Sequence, residues 1–434
     1  MHADTMRQID RWLGVPTCAT LTMTRAFADV VMPRSAAARP RRILFIKLAE
    51  QGSTVLAASA IDAAVRRVGR EHVHFLCFEE NRFILDAMDL VPRENVVTIR
   101  TDGLLGTIRN AVAALQRLRT IGIDVAIDLE FFARSTAAIA WLCGAPTRIG
   151  LHAGPGEGPW RGDLLTHRIR YNPHLHTSRL FRLQVEAIDT DPESLPTFDL
   201  VPPMADEPTP PIAADAEEIA EVRAILDATA GVDTATSGPL VLLNANCSDL
   251  LPLRAWPRDR YVDLARRLLA ADPRLRIGFT GARSEAETAA ELVAEIGDDR
   301  CFLLAGRTTL RQLIVLYGLA DLLVTNDSGP AHFASLTTID VITLFGPEHP
   351  NLFAARGPRN HVLHAGLACS PCVSALNNRT TACTDNRCMQ AIAVDEVFDL
   401  ANRVLAARAR GDRPLPVVEI ETRPVELRRP TPVR

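Results

Sequence analysis

The segment Thr325–Ala334, TNDSGPAHFA, lies between two apolar stretches and determines which fold class the chain can adopt. Leu322–Val324 precedes it and Val341–Phe345 follows it, and both apolar runs predict buried strands. The polar turn between them contains a glycine and leads into a helical pattern. In an open α/β sheet, a turn of this kind lies at the carboxyl end of a strand, where ligands bind.

Two interpretations of this turn follow from its chemistry. The free backbone N–H groups at a helix N-terminus attract anions, so a diphosphate is a natural ligand. Asp327 or Ser328 can instead bond to one of those N–H groups as an ordinary helix cap. The spacing of the residues leaves both interpretations open.

Strands and helices alternate on both sides of a proline-rich segment. In the first half, strands are predicted at 42–47, 73–77, 95–99 and 125–129, with helices at 104–118 and 135–142. In the second half, strands at 240–244 and 275–280 alternate with helices at 261–269, 285–296 and 310–319. This alternation predicts an α/β protein with two doubly wound parallel sheets.

Proline-rich and polar stretches set the domain boundaries. We expect a first Rossmann-like domain over 41–190, a proline-rich linker over 191–238 and a second Rossmann-like domain over 239–410. The tail, 411–434, is rich in Pro and Arg without an apolar period, which predicts an extended segment. Two α/β domains on a proline-rich joint predict that they face each other across a ligand cleft.

Residues 1–40 form an extension ahead of the first predicted strand. Apolar residues such as Trp12 and Phe27 are interspersed there with Arg7, Arg11 and Arg25. A basic amphipathic helix of this kind can lie on an anionic membrane. A helix packed against the main body is the alternative, and it is the one that we favour.

Composition narrows the class of protein. The 434 residues carry a formal net charge of −4, which argues against extended nucleic-acid binding. No apolar run approaches the ~20 residues that span a bilayer, and the N-terminus lacks the order of a secretory signal. We therefore expect a cytoplasmic protein, with peripheral contact to the cytoplasmic face of the inner membrane as an open alternative.

Four of the nine cysteines cluster between positions 369 and 388. Cys369 and Cys372 are close in sequence, as are Cys383 and Cys388, and both spacings suit tetrahedral thiolate coordination of a structural zinc. A disulfide-clipped loop and an unliganded loop are the alternatives. The cluster leaves no open ligand position, so a catalytic zinc is not expected.

Several segments together resemble the heptosyltransferase family of bacterial glycosyltransferases, family 9, whose members have the GT-B fold. Asn326–Ala334, followed by Leu344–Pro347, is similar to the family signature. Arg254–Pro257, RAWP, is similar to the opening of the family's second domain, and Ile43–Lys47 with Gly52 to its first strand and turn. The resemblance extends over about residues 42–405.

The resemblance implies an inverting, metal-independent transfer of a sugar from a nucleotide diphosphate that the C-terminal domain binds. Cations and backbone N–H groups would then stabilise the leaving diphosphate. The candidate donor-binding residues are Lys47, Asn246, Arg254, Asn326, Asp327, Ser328, Gly329, Pro330 and His332. For Lys47, structural pairing with a carboxylate is the alternative; for His332, it is capping or packing.

The same resemblance implies a general base on the N-terminal domain, an aspartate directly after the glycine of the first turn. Ser53 occupies that position here, and a neutral serine cannot be that base. Asp128 and Glu130, at the end of the fourth predicted strand, are the leading candidates, and Glu50 is the third. The candidate acceptor-side residues are Gly52, Ser53, Thr54, His174 and His176.

We therefore expect a glycosyltransferase that moves a sugar, with heptose favoured by the resemblance, to a lipopolysaccharide or other cell-surface glycan. The expected partners are a nucleotide-diphospho-sugar donor and a glycolipid or glycan acceptor, and no catalytic cofactor is expected. A catalytically inactive sugar-nucleotide or glycan-binding relative is the alternative, which Ser53 supports. An NAD enzyme is disfavoured, because no G-x-G-x-x-G follows the first strand.

Overall fold

The computed structural model describes residues 3–31, 40–154, 158–192, 211–231, 238–247 and 251–412. The chain divides into two compact units, of which the first comprises Met1–Thr209 with Ser374–Thr380 and the second Pro210–Val373 with Thr381–Arg434. Most of the predicted linker, 193–210 and 232–237, and the predicted tail from 413 onward lie outside the described residues.

The first unit is built on a six-stranded parallel sheet with the strand order β3-β2-β1-β4-β5-β6. Its strands are β1 Ile43–Ile46, β2 Val73–Phe78, β3 Val96–Ile99, β4 Val125–Asp128, β5 Thr147–His152 and β6 His167–Arg170. Its helices are α1 Ala3–Val31, α2 Gln51–Leu56, α3 Ala58–Val68, α4 Arg82–Met88, α5 Gly103–Ile121, α6 Arg134–Leu142 and α7 Thr177–Glu186. The order reverses between β1 and β4, which makes their carboxyl ends a topological switch point.

Helices cover both faces of this sheet because its central strands are apolar on both sides. All four residues of β1 and of β4 are buried. Phe45 and Ile127 pack on the side of α3 and α7, while Leu44 and Ala126 pack on the side of α5 and α6. Strands buried on both faces are typical of parallel sheets, and this unit is doubly wound.

The second unit repeats the architecture, with the strand order β12-β11-β10-β7-β8-β9. Its strands are β7 Leu240–Asn244, β8 Arg276–Phe279, β9 Cys301–Leu303, β10 Leu322–Asn326, β11 Asp340–Phe345 and β12 Asn360–His364. Its helices are α8 Ala216–Ala230, α9 Arg258–Ala271, α10 Ala286–Ile296, α11 Leu310–Leu319, α12 Gly329–Ala334, α13 Pro350–Phe353, α14 Arg387–Gln390 and α15 Val394–Ala409. Here the switch point lies between β7 and β10.

The predicted class, α/β with two doubly wound parallel sheets, is confirmed. Four strands were not predicted: β5, β6, β9 and β12. They are short or carry polar residues, as in β6, where buried His167 and Ile169 alternate with exposed arginines. A segment of this kind can be recognised as a strand only when its pairing with the neighbouring strand is known.

The N-terminal helix α1 packs against α6 of the first unit. Cys18 is fully buried in that contact, and Arg25 Nη2 lies 2.7 Å from Asp163 Oδ2. The hydroxyl of Thr22 accepts a hydrogen bond from the backbone N–H of Asp163 at 2.9 Å. Among the described residues, no helix is both long and apolar enough to cross a membrane.

Asp10 of α1 caps a helix that lies far from it in the sequence. Its two carboxylate oxygens accept hydrogen bonds from the backbone N–H groups of Arg134, at 3.1 Å, and Ser135, at 2.8 Å. The N-cap residue of α6 is Ala133, whose methyl group cannot accept these bonds. Asp10 therefore supplies from another helix the acceptor that α6 lacks locally.

We expect Asp10→Ala to lower the free energy of unfolding by about 1 kcal/mol, because it removes the cap of α6. The matched control is Asp29→Ala, also on α1, where the carboxylate forms an exposed pair with Arg25 at 3.7 Å. That pair should contribute no more than about 0.5 kcal/mol. Thermal unfolding followed by circular dichroism measures both, and equal midpoints for the two variants would contradict the capping role.

Candidate active site

Lys47, directly after β1, carries a fully buried charge at the first switch point. Its Nζ donates to the carbonyl oxygen of Ala49 at 2.7 Å and to Glu130 Oε2 at 3.0 Å. Glu50 Oε2 lies 3.6 Å away. These oxygens compensate for the loss of water around the ammonium group. The contacts of Lys47 are thus those of carboxylate pairing, the alternative to a direct phosphate contact.

Glu130 shapes the turn that follows β1. Its Oε1 accepts hydrogen bonds from the backbone N–H groups of Leu48, at 2.8 Å, and Ala49, at 3.1 Å, while Oε2 accepts from Lys47. The side chain is 13% exposed. Both carboxylate oxygens are therefore engaged with the chain, and Glu130 holds the turn in place.

Asp128, the last residue of β4, is fully buried. Its carboxylate accepts hydrogen bonds from Thr136 Oγ1 at 2.9 Å and the backbone N–H of Glu130 at 3.0 Å, and it pairs with Arg161. Burial raises the pKa of Asp128, and the nearby Arg161 guanidinium opposes that rise. Because the carboxylate is fully enclosed among these partners, a substrate hydroxyl cannot reach it, and the geometry gives Asp128 a structural role.

Glu50 combines partial exposure with an unusual backbone conformation. Its φ of 68° and ψ of 82° lie in the left-handed region, which non-glycine residues seldom adopt. The side chain is 24% exposed and accepts a hydrogen bond from Ser53 Oγ at 3.0 Å. Its carboxylate therefore lies beside the serine that occupies the position of the family aspartate. Strain of this kind is often found at functional sites.

Arg379 joins this cluster from a distant part of the sequence. The segment Ser374–Thr380 belongs to the first unit, and Ala375 is buried in its core. Arg379 pairs with Glu50, and its guanidinium lies 5.8 Å from the centre of the Phe131 ring. No sequence signal marked this residue, because a loop arginine becomes informative only when its partner is known.

The predicted acceptor-side residues occupy different environments. Ser53 and Thr54 are buried in α2, which also contains Gly52. His176 is buried as the N-cap of α7, where its Nδ1 accepts from the backbone N–H of Ser178 at 3.2 Å. His174 is exposed on the loop before it. Of the two histidines, His176 thus has a local structural function.

Asn326, at the carboxyl end of β10, holds the second switch point together. Its Oδ1 accepts from the backbone N–H of Trp256 at 3.0 Å and from Tyr261 Oη at 3.2 Å. Its Nδ2 donates to the carbonyl oxygens of Ala245 at 3.2 Å and Asn246 at 3.1 Å. An amide can make four such bonds, and all four are internal here. These four hydrogen bonds join the ends of β7 and β10 to the segment that contains Trp256, and we call them the Asn326 clamp. Asn246 contributes its backbone carbonyl oxygen to that clamp.

Arg254 is positioned by the clamp and by a buried tryptophan. Trp256 is fully buried, and its Nε1 donates to the carbonyl oxygen of Ile392 at 3.0 Å. Arg254 is 15% exposed, with Nη1 3.7 Å from Asp327 Oδ2. Its buried Nε has no hydrogen-bond partner within the described part of the chain. The site thus contains a partly exposed guanidinium that is held beside a carboxylate.

The turn after β10 forms the rest of this site. Ser328 is the N-cap of α12, but its side chain makes no capping bond; its Oγ donates to the carbonyl oxygen of Asn326 at 3.2 Å. Gly329 and Pro330 open the helix, and His332 is buried within it. The N-terminal N–H groups of α12 are therefore not capped by Ser328.

The four clustered cysteines do not form a metal centre. Within the described ranges, no group of three or more His, Cys, Asp or Glu side chains is arranged to hold a metal ion. Cys369 and Cys383 are exposed and Cys372 is half-buried, while Cys388 packs in the hydrophobic core of the second unit. Burial raises the pKa of the Cys388 thiol to about 11. The prediction of a structural zinc at Cys369, Cys372, Cys383 and Cys388 is thus not supported.

Comparison with known proteins relates both units to one group of enzymes. The sequence pattern of "Glycosyltransferase family 9 (heptosyltransferase)" matches residues 112–382. Lipopolysaccharide heptosyltransferase 2 of Escherichia coli (strain K12) is 31% identical over 103 residues, 23% of this chain and 29% of that protein. Lipopolysaccharide heptosyltransferase 1 of Pseudomonas aeruginosa is 25% identical over 342 residues, 76% of this chain and 86% of that protein. The match to the Escherichia coli relative thus spans about three tenths of its length.

Solved structures agree with this assignment at the level of the fold. The structure of Escherichia coli ADP-heptose lps heptosyltransferase II has a TM-score of 0.62 at 19% identity and covers 85% of this chain and 99% of its own. Escherichia coli heptosyltransferase WaaC with ADP has a TM-score of 0.59 at 17% identity and covers 84% of this chain and 99% of its own. The predicted GT-B class is confirmed by this similarity.

Removal of the clamp should destabilise the second unit more than removal of a comparable buried amide. We expect Asn326→Ala to lower the free energy of unfolding by about 2–3 kcal/mol, because it leaves several buried polar groups unsatisfied. The control is Asn360→Ala, an equally buried residue whose Nδ2 donates to the carbonyl oxygen of Arg356 at 3.0 Å. Chemical denaturation compares the two, and an equal loss would show that Asn326 is no clamp.

Proposed function

Because the chain belongs to glycosyltransferase family 9, the heptosyltransferase family, we propose that it transfers a heptose from a nucleoside-diphosphate donor to a hydroxyl of a lipopolysaccharide or other cell-surface glycan. The names of its relatives, which include ADP-heptose and lipopolysaccharide, support these substrates. The proposed transfer inverts the anomeric centre and uses protein groups in place of a metal ion. The observation that carries the proposal is Arg254, a partly exposed cation held beside Asp327 at the second switch point.

Arg254 is the proposed partner of the leaving diphosphate. A guanidinium presents a planar set of donors that matches phosphate oxygens. Asp327 holds it from one side, and the buried Trp256 fixes the backbone two residues away, so the group is oriented before the ligand arrives. The backbone N–H groups at Ser328 and Gly329 are proposed as further donors, with His332 as an additional contact.

Glu50 is the proposed general base. It is the most exposed of the three candidate carboxylates, at 24% against 13% for Glu130 and 0% for Asp128. Its hydrogen bond with Ser53 supports this choice, because Ser53 occupies the position for which the resemblance implies an aspartate. Lys47 contacts Glu130 at 3.0 Å and Glu50 at 3.6 Å, so Glu130 is the proposed positioning residue.

The proposed step conserves atoms and charge. An oxygen of Glu50 accepts the proton of the acceptor hydroxyl while the hydroxyl oxygen forms a bond to the anomeric carbon. The bond between that carbon and the diphosphate oxygen breaks, and its electron pair leaves with the diphosphate. Arg254 stabilises the negative charge that the leaving group gains.

A catalytically inactive sugar-nucleotide-binding relative is the second candidate. Ser53 favours it, because a serine cannot replace the aspartate that the resemblance implies as base. The two candidates share the donor site and differ in turnover. Nucleotide binding therefore tests what they have in common, and the Glu50 variants test what separates them.

Isothermal titration calorimetry with ADP, UDP, GDP and CMP tests the donor site. We expect tight binding of one nucleotide and a loss of about 10- to 100-fold for Arg254→Ala, because the variant removes a charged hydrogen-bond donor. The control is Arg258→Ala, which removes a 61% exposed arginine four positions further on and should leave affinity unchanged. If none of the four nucleotides binds, the donor-site proposal fails.

Steady-state kinetics of four variants tests the base. We expect Glu50→Gln to lower kcat by roughly 10²- to 10⁴-fold without changing nucleotide affinity, because it removes proton transfer and leaves the donor site intact. Glu130→Gln should lower kcat by a smaller factor, and Asp128→Asn should mainly lower the free energy of unfolding. Ser53→Ala is the control for loss of the hydrogen bond between Ser53 and Glu50. Full turnover of Glu50→Gln together with loss in Glu130→Gln would reassign the base to Glu130. An inactive wild type that still binds nucleotide would favour the second candidate.

A further inference from the structure

Helix α1 packs on α6 through one side and leaves large apolar side chains exposed on the other. The inner side combines a small apolar contact, Cys18 with Leu21, and the polar contacts of Asp10 and Arg25 with α6 and Asp163. On the outer side, Trp12 is 75% exposed and Phe27 73%. A helix that packs on a globular body normally exposes polar residues on its outer face. The large apolar side chains on the outer side of α1 therefore indicate that a second apolar environment covers them.

Four of the exposed apolar residues of α1 lie along one side of the helix, one near its start and three near its end, and are called the stripe below. Trp12, Met23, Phe27 and Val30 follow one another at spacings that keep them on the same side of a helix. At ~1.5 Å per residue the stripe is about 27 Å long. Two charged residues, Arg25 and Asp29, lie within the length of the stripe. Arg25 pairs with Asp163, and Asp29 is exposed.

A second exposed apolar patch lies on α5, which packs on the same face of the sheet as α6. Helices α5 and α6 pack on one face of the sheet, and α1 packs on α6. The outer residues of α5 are Leu104, Leu105, Ile108 and Val112, exposed by 49%, 82%, 52% and 48%. Single exposed apolar residues are common on protein surfaces, whereas contiguous groups mark interaction sites.

The charge of the N-terminal segment identifies the kind of surface that covers this face. Residues 1–42 contain seven arginines and three aspartates, a net charge of +4, in a chain whose overall net charge is −4. Arg11 is exposed beside Trp12, and Arg41 and Arg42 are exposed near β1. An apolar stripe with flanking arginines complements an anionic bilayer, in which the apolar residues enter the headgroup region and the cations contact lipid phosphates.

We propose that the outer faces of α1 and α5 together dock the first unit on an anionic lipid surface. The purpose of this docking rests on the proposed function, in which the acceptor is a glycolipid. Asp10 ties α1 to the N-terminus of α6, which follows β4 at the edge of the sheet where Glu130 lies. Docking through α1 would therefore bring the lipid surface near the edge of the sheet that carries Glu130.

The test uses the full-length protein and vesicles that contain no acceptor glycan. Flotation with vesicles of phosphatidylcholine and phosphatidylglycerol at a ratio of about 7:3 should recover the wild type, and pure phosphatidylcholine vesicles should recover less. We expect the double variant Trp12→Ser/Phe27→Ser to reduce the partition coefficient at least tenfold, and Leu105→Ser to reduce it by a smaller factor. Leu310→Gln, on α11 of the second unit, is the matched control and should bind as the wild type does.

The outcomes separate this proposal from its alternatives. Unchanged flotation of the double variant, or equal loss in Leu310→Gln, would overturn it. A double variant that loses self-association by light scattering, with no wild-type flotation, would show that a second copy of this chain covers the face. Vesicle binding is measured without donor or acceptor, so a failure of nucleotide binding would reject the proposed function and leave the docking result standing.

Discussion

The buried ammonium group of Lys47 is the constraint on which the first unit depends. A charge without water at the centre of a parallel sheet is tolerated only when opposite charges and polar groups surround it. Glu130 and Glu50 meet that requirement, and Glu130 also binds the backbone N–H groups of the turn after β1. The turn cannot relax without exposing a buried charge, and Glu50 is held in its left-handed conformation within it. The ion pairs of Lys47 and the backbone conformation of the turn after β1 therefore stabilise each other.

The second unit holds its switch point together through a neutral side chain. Asn326 joins the ends of β7 and β10 to the segment that carries Trp256, and its four hydrogen bonds leave no polar atom of the amide unused. Arg254 lies at the edge of this neutral frame rather than inside it. The two switch points thus differ in a way that suits their proposed roles. One positions carboxylates for proton transfer, and the other holds a cation for a diphosphate.

The candidate site could be located from the sequence more reliably than its residues could be assigned. Lys47 and Glu130 in the first unit, and Arg254 and Asp327 in the second, follow strands that the apolar pattern predicts. Within each sheet, parallel strands bring their carboxyl ends to one edge. Asp128 and Glu130 looked equivalent because alternation along a strand does not reveal which side chain is enclosed. The structure separates them, since Asp128 meets Arg161 in the interior while Glu130 reaches the turn after β1. The cysteine spacing suggested zinc, yet the packing of Cys388 into the core depends on helices that the spacing does not describe.

The sequence by itself determined the α/β class with two doubly wound sheets and the resemblance to a glycosyltransferase family, because periodic burial and short motifs are local properties of the chain. Tertiary structure alone decided which carboxylate is exposed, which arginine pairs with Glu50 and which face of α1 is turned outward. Arg379 is separated from Glu50 by 329 positions, and Asp10 from Ser135 by 125. Contacts over such distances arise only when packing brings the elements together, and no local pattern encodes them.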